Sequence, residues 1–442
     1  MLTRLKKTIL LIGDLIFLNL ALFLTLVVRY PKETWLQNYR GHIPHFLVIF
    51  LIWLVILYIN DLYNLNLKAA GRKFFLQTIN AAVLSTLLSV IYFYLNVQSS
   101  IAPKTNLAIF IVIFVLLFFI WRGIYGALVR SLIPKSNLAI IGFNKRTETL
   151  IAELKNNPGS GYQTALIFKT PEEMDTLVES IKEKNIRAIV VADDFGESEK
   201  LREALFSCLA FNLTFFDYPA FYELLTGKVP VEAIGPSWFL DNLKEGERNY
   251  FNFIKRVVDL IGAIIILIVT FIFWPLIALI IKLESRGPIF IKQTRYGRNE
   301  KIFIMFKFRT MREENNDHLV PTVEGDKRIT RFGFFLRKTR LDEIPQVLNI
   351  IKGEMSFIGP RPERPEIVAE LEHKIPFYKT RLLIKPGITG WDQISGHYHS
   401  PSLEDTLEKL QYDLFYLKHR SFYLDLAITL KTVATMISRA GR

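Results

Sequence analysis

The chain has 442 residues, of which 50% are hydrophobic and 22% are charged, so it is long enough for about three domains with buried cores. This composition excludes a disordered chain and a collagen-like repeat, and the single cysteine excludes an internal disulfide framework. A formal charge of +13 favours anionic partners. The candidate classes of partner are nucleic acid, phospholipid headgroups and phosphorylated small molecules.

Residues 1–135 predict a domain of four transmembrane helices. Four apolar stretches have about the 20 residues that a helix needs to cross a bilayer. They are residues 9–28, 43–59, 79–97 and 107–127. Basic residues precede the first stretch, lie between the second and third, and follow the fourth, so the positive-inside rule places the N-terminus and everything after Lys135 in the cytoplasm. Asp14 inside the first stretch predicts a functional group or an interhelical hydrogen bond, and the second interpretation is preferred.

Residues 136–250 predict an α/β domain with a parallel sheet, because short apolar strands alternate with helical patterns. The predicted strands are residues 137–143, 165–168, 188–191 and 213–216. The turn after the first strand, where a dinucleotide-binding fold places its glycine fingerprint, contains only Gly142. We therefore expect a Rossmann-like cytoplasmic domain without a cofactor.

Residues 251–442 predict a third domain that begins with an apolar stretch interrupted by Pro275. Lys255 lies at the front of this stretch and Lys282 lies behind it, so both ends are expected on the cytoplasmic side. Proline removes one helical hydrogen bond and kinks the helix. The sequence therefore predicts a re-entrant membrane helix at about residues 253–283, followed by a mixed α/β domain.

Two adjacent carboxylates, Asp342 and Glu343, follow a group of cations. The cations are Arg337, Lys338 and Arg340. A structural interpretation makes Asp342 the N-cap of a helix over 344–351, with Glu343 in its first turn. Cations oppose the dipole of a helix start but suit phosphate oxygens. The functional interpretation is an ionised carboxylate that attacks phosphorus, with the second carboxylate holding the Mg²⁺ that neutralises a diphosphate.

Three further clusters carry cations or turn residues in the same domain. Their members are Lys307 and Arg309 on one side of an extended segment, Pro360, Arg361 and Pro362 in a stiff turn, and the glycine-rich loop 385–391. Each cluster alone is typical of a solvated surface turn. Together they favour a site that binds phosphate groups.

From residue 253 to residue 442 the sequence resembles the bacterial sugar transferases of the polyprenyl-phosphate hexose-1-phosphate transferase type, the large monotopic phosphoglycosyl transferases. The resemblance rests on the Pro275 hairpin, the KFRTM segment at 307–311, LDEIPQ at 341–346 and KGEMSFIGPRP at 352–362. Four spans and a degenerate Rossmann-like domain in front are also what the large form of this family carries.

The resemblance implies a mechanism in two steps. Asp342 matches the nucleophile that attacks the sugar-side phosphate of a UDP-sugar, which releases UMP and leaves a phosphoaspartyl-linked sugar. Undecaprenyl phosphate then attacks this intermediate, and Glu343 matches the Mg²⁺-binding carboxylate. The expected substrate-binding residues are Lys307, Arg309, Arg337, Arg340, Pro360, Arg361 and Pro362. The chain departs from the family at Trp274, where a serine is common, so the kink is expected to be shallower or to use another partner.

The resemblance also implies a homodimer in the bacterial inner membrane, in contact with membrane lipid, that performs the first membrane step of exopolysaccharide, capsule or O-antigen synthesis. The sugar stays open between glucose, galactose and N-acetylated or deoxyamino sugars. Two alternatives are a membrane-anchored scaffold with an inactive transferase domain and a nucleic-acid binder. The intact carboxylate pair disfavours the inactive scaffold. The chain has membrane segments and lacks the pattern of a recognition helix, so no nucleic-acid partner is expected.

Overall fold

In the computed structural model the chain folds as two compact units, Met1–Thr226 and Gly227–Arg442. The structure describes residues 2–31, 33–67, 71–96, 103–132, 134–192, 199–243, 245–312, 326, 328–395 and 402–438.

The first unit begins with four helices that are long and apolar enough to cross a membrane. They are α1 (Leu2–Arg29), α2 (Trp35–Ile59), α3 (Arg72–Leu95) and α4 (Pro103–Leu132). Aromatic rings fill the space between them; Trp53 of α2 meets Phe114 of α4 at a centroid distance of 4.8 Å. Asp14 of α1 accepts a hydrogen bond from Arg122 of α4 at 2.9 Å, and both side chains are buried. This contact confirms the preferred interpretation of Asp14.

A parallel sheet with crossover helices completes the first unit. Its elements are β1 (Ser136–Ile141), α5 (Lys145–Asn156), β2 (Tyr162–Phe168), α6 (Leu177–Glu183), β3 (Ile186–Val191), α7 (Glu199–Cys208), β4 (Thr214–Asp217) and α8 (Tyr218–Thr226). The strand order is β2-β1-β3-β4, and every pair is parallel, which confirms the predicted parallel sheet. In the turn after β1, the Asn144 side chain accepts from the N–H of Thr147, whose hydroxyl donates to the carbonyl of Gly142. The polar groups of this turn therefore cap α5.

The second unit combines a helical hairpin with two small sheets. Its elements are α9 (Pro236–Asn242), α10 (Asn249–Phe271), α11 (Trp274–Glu284), β5 (Phe290–Tyr296), β6 (Ile302–Phe308), α12 (Arg331–Lys338), α13 (Val347–Lys352), β7 (Ser356–Ile358), α14 (Pro365–Lys374), β8 (Gly387–Thr389), α15 (Leu403–His419) and α16 (Phe422–Ser438). Strands β5 and β6 pair antiparallel, and β7 and β8 pair parallel.

The second unit begins earlier than the predicted domain boundary at residue 250. Val229 and Val231 are buried in one core with Tyr378 and Leu410. Residues 227–250 therefore belong to the C-terminal unit and not to the Rossmann-like domain. The compact unit starts before the predicted boundary because Val229 and Val231 pack against α15, which follows far along the chain.

The apolar stretch around Pro275 forms a hairpin of α10 and α11, which are bent by 61° at a short break, as in a broken span or a re-entrant loop. Pro275 is the second residue of α11. The N–H groups in the first turn of a helix have no acceptor within the helix, so proline costs no hydrogen bond at this position. The bend is therefore a break between two helices. The Thr270 hydroxyl donates to the Ile266 carbonyl one turn before it, and the Trp274 ring packs on Phe308 at 5.5 Å. A threonine and an aromatic contact thus flank the bend, where the family often has a serine.

Both ends of the hairpin are attached to the second unit. Near the start of α10, Lys255 forms an ion pair with Asp425 of α16 at 2.6 Å. After α11, the carbonyls of Ser285 and Arg286 accept hydrogen bonds from Arg309 at 2.7 and 2.9 Å. A straight span would separate its two ends by the thickness of the bilayer. This shared attachment agrees with the predicted re-entrant hairpin.

Candidate active site

The carboxylate pair lies on a 3₁₀ turn, Leu341–Gln346, directly before α13. Arg340 precedes the turn in the left-handed conformation, with φ 56°, and this residue separates the turn from α12. The predicted helix over 344–351 instead begins at Val347, so Asp342 is not its N-cap. Single 3₁₀ turns are common before α-helices, and the apolar pattern does not distinguish the two conformations.

Glu343 is buried and surrounded by cations. Its Oε1 accepts a hydrogen bond from Lys307 at 2.7 Å and lies 3.4 Å from the Arg361 guanidinium, while its Oε2 lies 3.7 Å from the Arg340 guanidinium. Burial alone would raise the pKa of Glu343, but Lys307 and then Arg361 hold that pKa well below its usual value. Glu343 is therefore a permanent anion at physiological pH.

Asp342 has a different environment from its neighbour. Its side chain is partly exposed, and it accepts no hydrogen bond from the residues that the structure describes. Burial and then the adjacent charge of Glu343 raise the pKa of Asp342, although Lys307 and Arg337 partly offset them. The sequence predicted an ionised carboxylate; the structure makes Asp342 the more basic of the two and leaves its oxygens open to a ligand.

Two arginines stand beside the pair on rigid supports. The Nε of Arg337 donates to the Thr310 hydroxyl at 2.8 Å, which fixes the plane of its guanidinium. The backbone around Arg361 is held on both sides, because the Pro360 carbonyl accepts from the N–H of Gly387 and the Arg361 carbonyl accepts from Arg381. Pro360 and Pro362 are buried while the Arg361 side chain is 45% exposed, so the turn presents one cation to the site.

Arg309 has a different role from the predicted phosphate contact. Its side chain is only 4% exposed and donates to the carbonyls that follow α11. The sequence predicted Arg309 and Lys307 on one side of an extended segment. Arg309 lies beyond the end of β6, so this alternation of side chains does not apply to it. Arg309 therefore positions the exit of the hairpin.

Sequence reasoning gave no role to Asn349, which is fully buried on α13. Its amide nitrogen donates to the Ile304 carbonyl and to Glu354 Oε2, both at 2.7 Å, and its oxygen accepts from the N–H of Phe306. These bonds fix α13 against β6 and so place Lys307 opposite Glu343. The sequence did contain a sign of this role, because Asn349 is the single polar residue inside the apolar run 347–351.

The buried Oε2 of Glu343 has no hydrogen-bond partner. In the described ranges, this site included, no group of three or more His, Cys, Asp and Glu side chains is placed to hold a metal ion. Mg²⁺ commonly takes one or two carboxylates and completes its shell with water and substrate phosphate. The donor set at Glu343 fits that pattern, provided the phosphates come with the substrate.

The carboxylate turn also touches the membrane hairpin. Ile281 of α11 and Phe308 of β6 are buried in an apolar cluster, and Leu341 and Ile344 of the 3₁₀ turn pack against it. A ligand that reaches Asp342 is therefore close to both the polar cations and the apolar hairpin.

A family model described as bacterial sugar transferase matches residues 250–439. A UDP-glucose:undecaprenyl-phosphate glucose-1-phosphate transferase of Xanthomonas campestris pv. campestris is 30% identical over 72% of this chain and 70% of its own length. The chain belongs to the bacterial sugar transferase family. As predicted, this sugar transferase is an enzyme of the phosphoglycosyl transferase class.

Two further comparisons describe the rest of this sugar transferase. An Aeromonas hydrophila protein named UDP-N-acetylgalactosamine-undecaprenyl-phosphate N-acetylgalactosaminephosphotransferase is 36% identical, over 56% of this chain and 57% of that protein. A second family model, described as a CoA-binding domain, matches residues 58–208, which include α3, α4 and the first three strands of the parallel sheet. The absence of a cofactor from this part of the sugar transferase stays a prediction.

Proposed function

We propose that this sugar transferase moves a sugar-1-phosphate from a UDP-sugar to undecaprenyl phosphate through a phosphoaspartyl intermediate. The names of its relatives support these two substrates. The observation that carries the mechanism is the contrast within the carboxylate pair: Glu343 is bound by cations, whereas Asp342 is open and more basic.

In the first step, an oxygen of Asp342 attacks the sugar-side phosphorus of the diphosphate, and the bond to the UMP oxygen breaks. In the second step, a phosphate oxygen of the lipid attacks the same phosphorus and releases Asp342. Arg337 and Arg361 bind phosphate oxygens as charge moves through the transition state. Lys307 keeps Glu343 ionised and in place. Mg²⁺ held by Glu343 would supply neutralisation of the diphosphate.

The position of the site suits substrates from two phases. The acceptor is confined to the bilayer and the donor is dissolved in water, so the reaction needs a site at the boundary. The contact between α11 and the carboxylate turn supports such a place. We propose that the chain spans the bacterial inner membrane several times with its Rossmann-like and transferase domains facing the cytoplasm. We also propose that the enzyme is a homodimer and that it performs the first membrane step of a polysaccharide pathway.

Release of UMP tests the proposal directly. The purified full chain is incubated with a panel of UDP-sugars, Mg²⁺ and undecaprenyl phosphate, and we expect UMP from at least one sugar. Asp342→Asn should abolish UMP release with and without the lipid, whereas Asp241→Asn, an exposed carboxylate on α9, should leave it intact. UMP from none of the sugars would favour the inactive scaffold.

The covalent step has its own test. Enzyme quenched after exposure to a radiolabelled UDP-sugar should carry the sugar phosphate on the peptide that contains Asp342. An adduct on another residue, or kinetics that require both substrates to be bound at once, would contradict the mechanism. Glu343→Gln should mainly raise the Mg²⁺ concentration needed for half-maximal rate, and Glu366→Gln on α14 is its matched control.

Orientation is tested by cysteine labelling in intact cells. The native Cys208 is buried, so an introduced cysteine reports its own side of the membrane. Arg286→Cys after the hairpin should resist a membrane-impermeant maleimide, while Glu33→Cys between α1 and α2 should react with it. Labelling at position 286 from outside would overturn the re-entrant orientation.

A further inference from the structure

A second cationic site lies at the beginning of the membrane hairpin. A cavity of about 100 Å³ opens there, several times the space that one water molecule needs. Five cations and a single carboxylate line it. They are Lys255, Arg256, Arg298, Lys385 and Arg420, with Asp259.

Several of these charges already have partners in the fold. Lys255 is paired with a carboxylate of α16. Arg256 donates to backbone carbonyls at the C-terminal end of α13, including that of Ile351 at 2.8 Å. Asp259 accepts the N–H of Phe357 and is 5% exposed. The one acidic group of the cavity is therefore held by the backbone.

Arg298 and Lys385 differ from Lys255 and Arg256, since within the described ranges neither side chain forms a hydrogen bond or an ion pair. Lys385 is half-buried beside Arg256. A methyl group added at Gly353 would lie 3.4 Å from the Arg256 guanidinium and 3.6 Å from the Lys385 ammonium. Burial and then Arg256 lower the pKa of Lys385, and Asp259 offsets them only in part. Like charges that converge in a partly buried cavity are stabilised by a bound anion.

Arg298 and Lys385 also border a larger space. A cleft of about 400 Å³ shares Arg298 and Lys385 with the cavity and adds two cations, Lys301 and Lys352, and one carboxylate, Glu354, which accepts a hydrogen bond from Asn349. The combined space accepts a bulkier group than a free anion.

The surroundings of the cavity belong to a membrane surface. Tyr250 and Phe253 at the start of α10 are 76% and 68% exposed, and Tyr423 at the start of α16 is 72% exposed. Exposed aromatic rings beside apolar helices are typical of the headgroup layer. Basic pockets between membrane helices on the cytoplasmic side bind acidic headgroups, and the orientation proposed above would place this cavity on that side.

We propose that Arg256, Arg298 and Lys385 bind the phosphate of an anionic phospholipid headgroup, with the acyl chains beside α10. The site is separate from the reaction centre, because it lies at the C-terminal end of α13 whereas Asp342 precedes the N-terminal end. Helix α13 alone is about 9 Å long at 1.5 Å per residue. The lipid would hold the first half of the hairpin at the membrane surface.

Lipid retention tests the proposal on the full chain. The protein is reconstituted in nanodiscs of phosphatidylglycerol and phosphatidylcholine, released, and examined by native mass spectrometry for bound lipid. Wild type should retain phosphatidylglycerol in preference to phosphatidylcholine. Each cation near the surface contributes about fivefold to the affinity for an anionic lipid. The double variant Arg298→Ala/Lys385→Ala should therefore bind phosphatidylglycerol about 30-fold more weakly than wild type.

Controls separate charge at this site from charge in general. Lys155→Ala/Lys374→Ala removes two exposed cations from α5 and α14 and should retain lipid like wild type. Lys385→Arg should also retain it, which separates lost charge from lost folding. Equal retention by the double cavity variant and wild type would refute the site. Inorganic phosphate that competes at the same concentration as the lipid would refute the headgroup as its occupant.

Discussion

Asp342→Asn is expected to stabilise the protein while it abolishes transfer. The pKa of Asp342 is raised from 3.8 to about 6, which means that the fold disfavours the ionised carboxylate. At about 1.4 kcal/mol per pKa unit the cost approaches 3 kcal/mol, and partial exposure reduces it to about 1–3 kcal/mol. Because the folded-state pKa is the higher one, the cost is complete above about pH 6 and disappears below about pH 4, where both states are protonated. Asparagine has nearly the same shape and no charge, so it avoids the cost.

The measurement is the thermal unfolding midpoint of the detergent-solubilised full chain. At about pH 7.5 the variant should unfold about 2–10 °C above wild type, and at about pH 4 the two should agree. Asp241→Asn controls for the loss of one negative charge at an exposed site. A lower midpoint for Asp342→Asn at the higher pH would refute the reasoning, because it would mean that the carboxylate makes a stabilising contact in the fold.

Three other predictions follow from the same site. The initial rate of UMP release should fall as the pH drops through about 6, because protonated Asp342 cannot attack phosphorus; a rate independent of pH in that range would contradict the assignment. Asn349→Ala should lower the free energy of unfolding by about 2–4 kcal/mol, because three buried hydrogen bonds are lost, and denaturant titration measures this. Arg309→Gln should destabilise by a similar amount but change KM for the UDP-sugar less than about twofold, and a larger rise in KM would mean that Arg309 contacts substrate.

The spans and the parallel sheet could be predicted because each depends on local pattern. A stretch of about 20 apolar residues has few outcomes other than a membrane helix, and short apolar strands that alternate with helices favour one topology. The observed bounds of the helices differ from the predicted ones by a few residues. For example, the first predicted span, 9–28, lies within α1 at Leu2–Arg29. The carboxylate pair could also be identified from the sequence, because two adjacent acidic residues follow a group of three cations.

What the sequence left undetermined depends on contacts between distant residues. The pKa of Asp342 is raised by burial and by Glu343, while Lys307 and Arg361 lower the pKa of Glu343. Burial and these two cations reach the pair only after folding. The role of Arg309 depends on the path of the chain after α11, which no periodicity encodes. The start of the compact C-terminal unit at Gly227 was not visible for the same reason, since the core around Val229 is completed by α15.

The buried pair between Asp14 and Arg122 constrains how the chain is assembled. Its two members lie on the first and the last of the four apolar helices, 108 positions apart. During synthesis α1 enters the bilayer before its partner exists, and an acid at the centre of a lone helix costs about 3 kcal/mol on insertion scales. The arrival of α4 removes that cost and links the first helix to the fourth. Biogenesis of the N-terminal bundle should therefore finish in one late event, and premature loss of α4 should leave α1 as a target for membrane quality control.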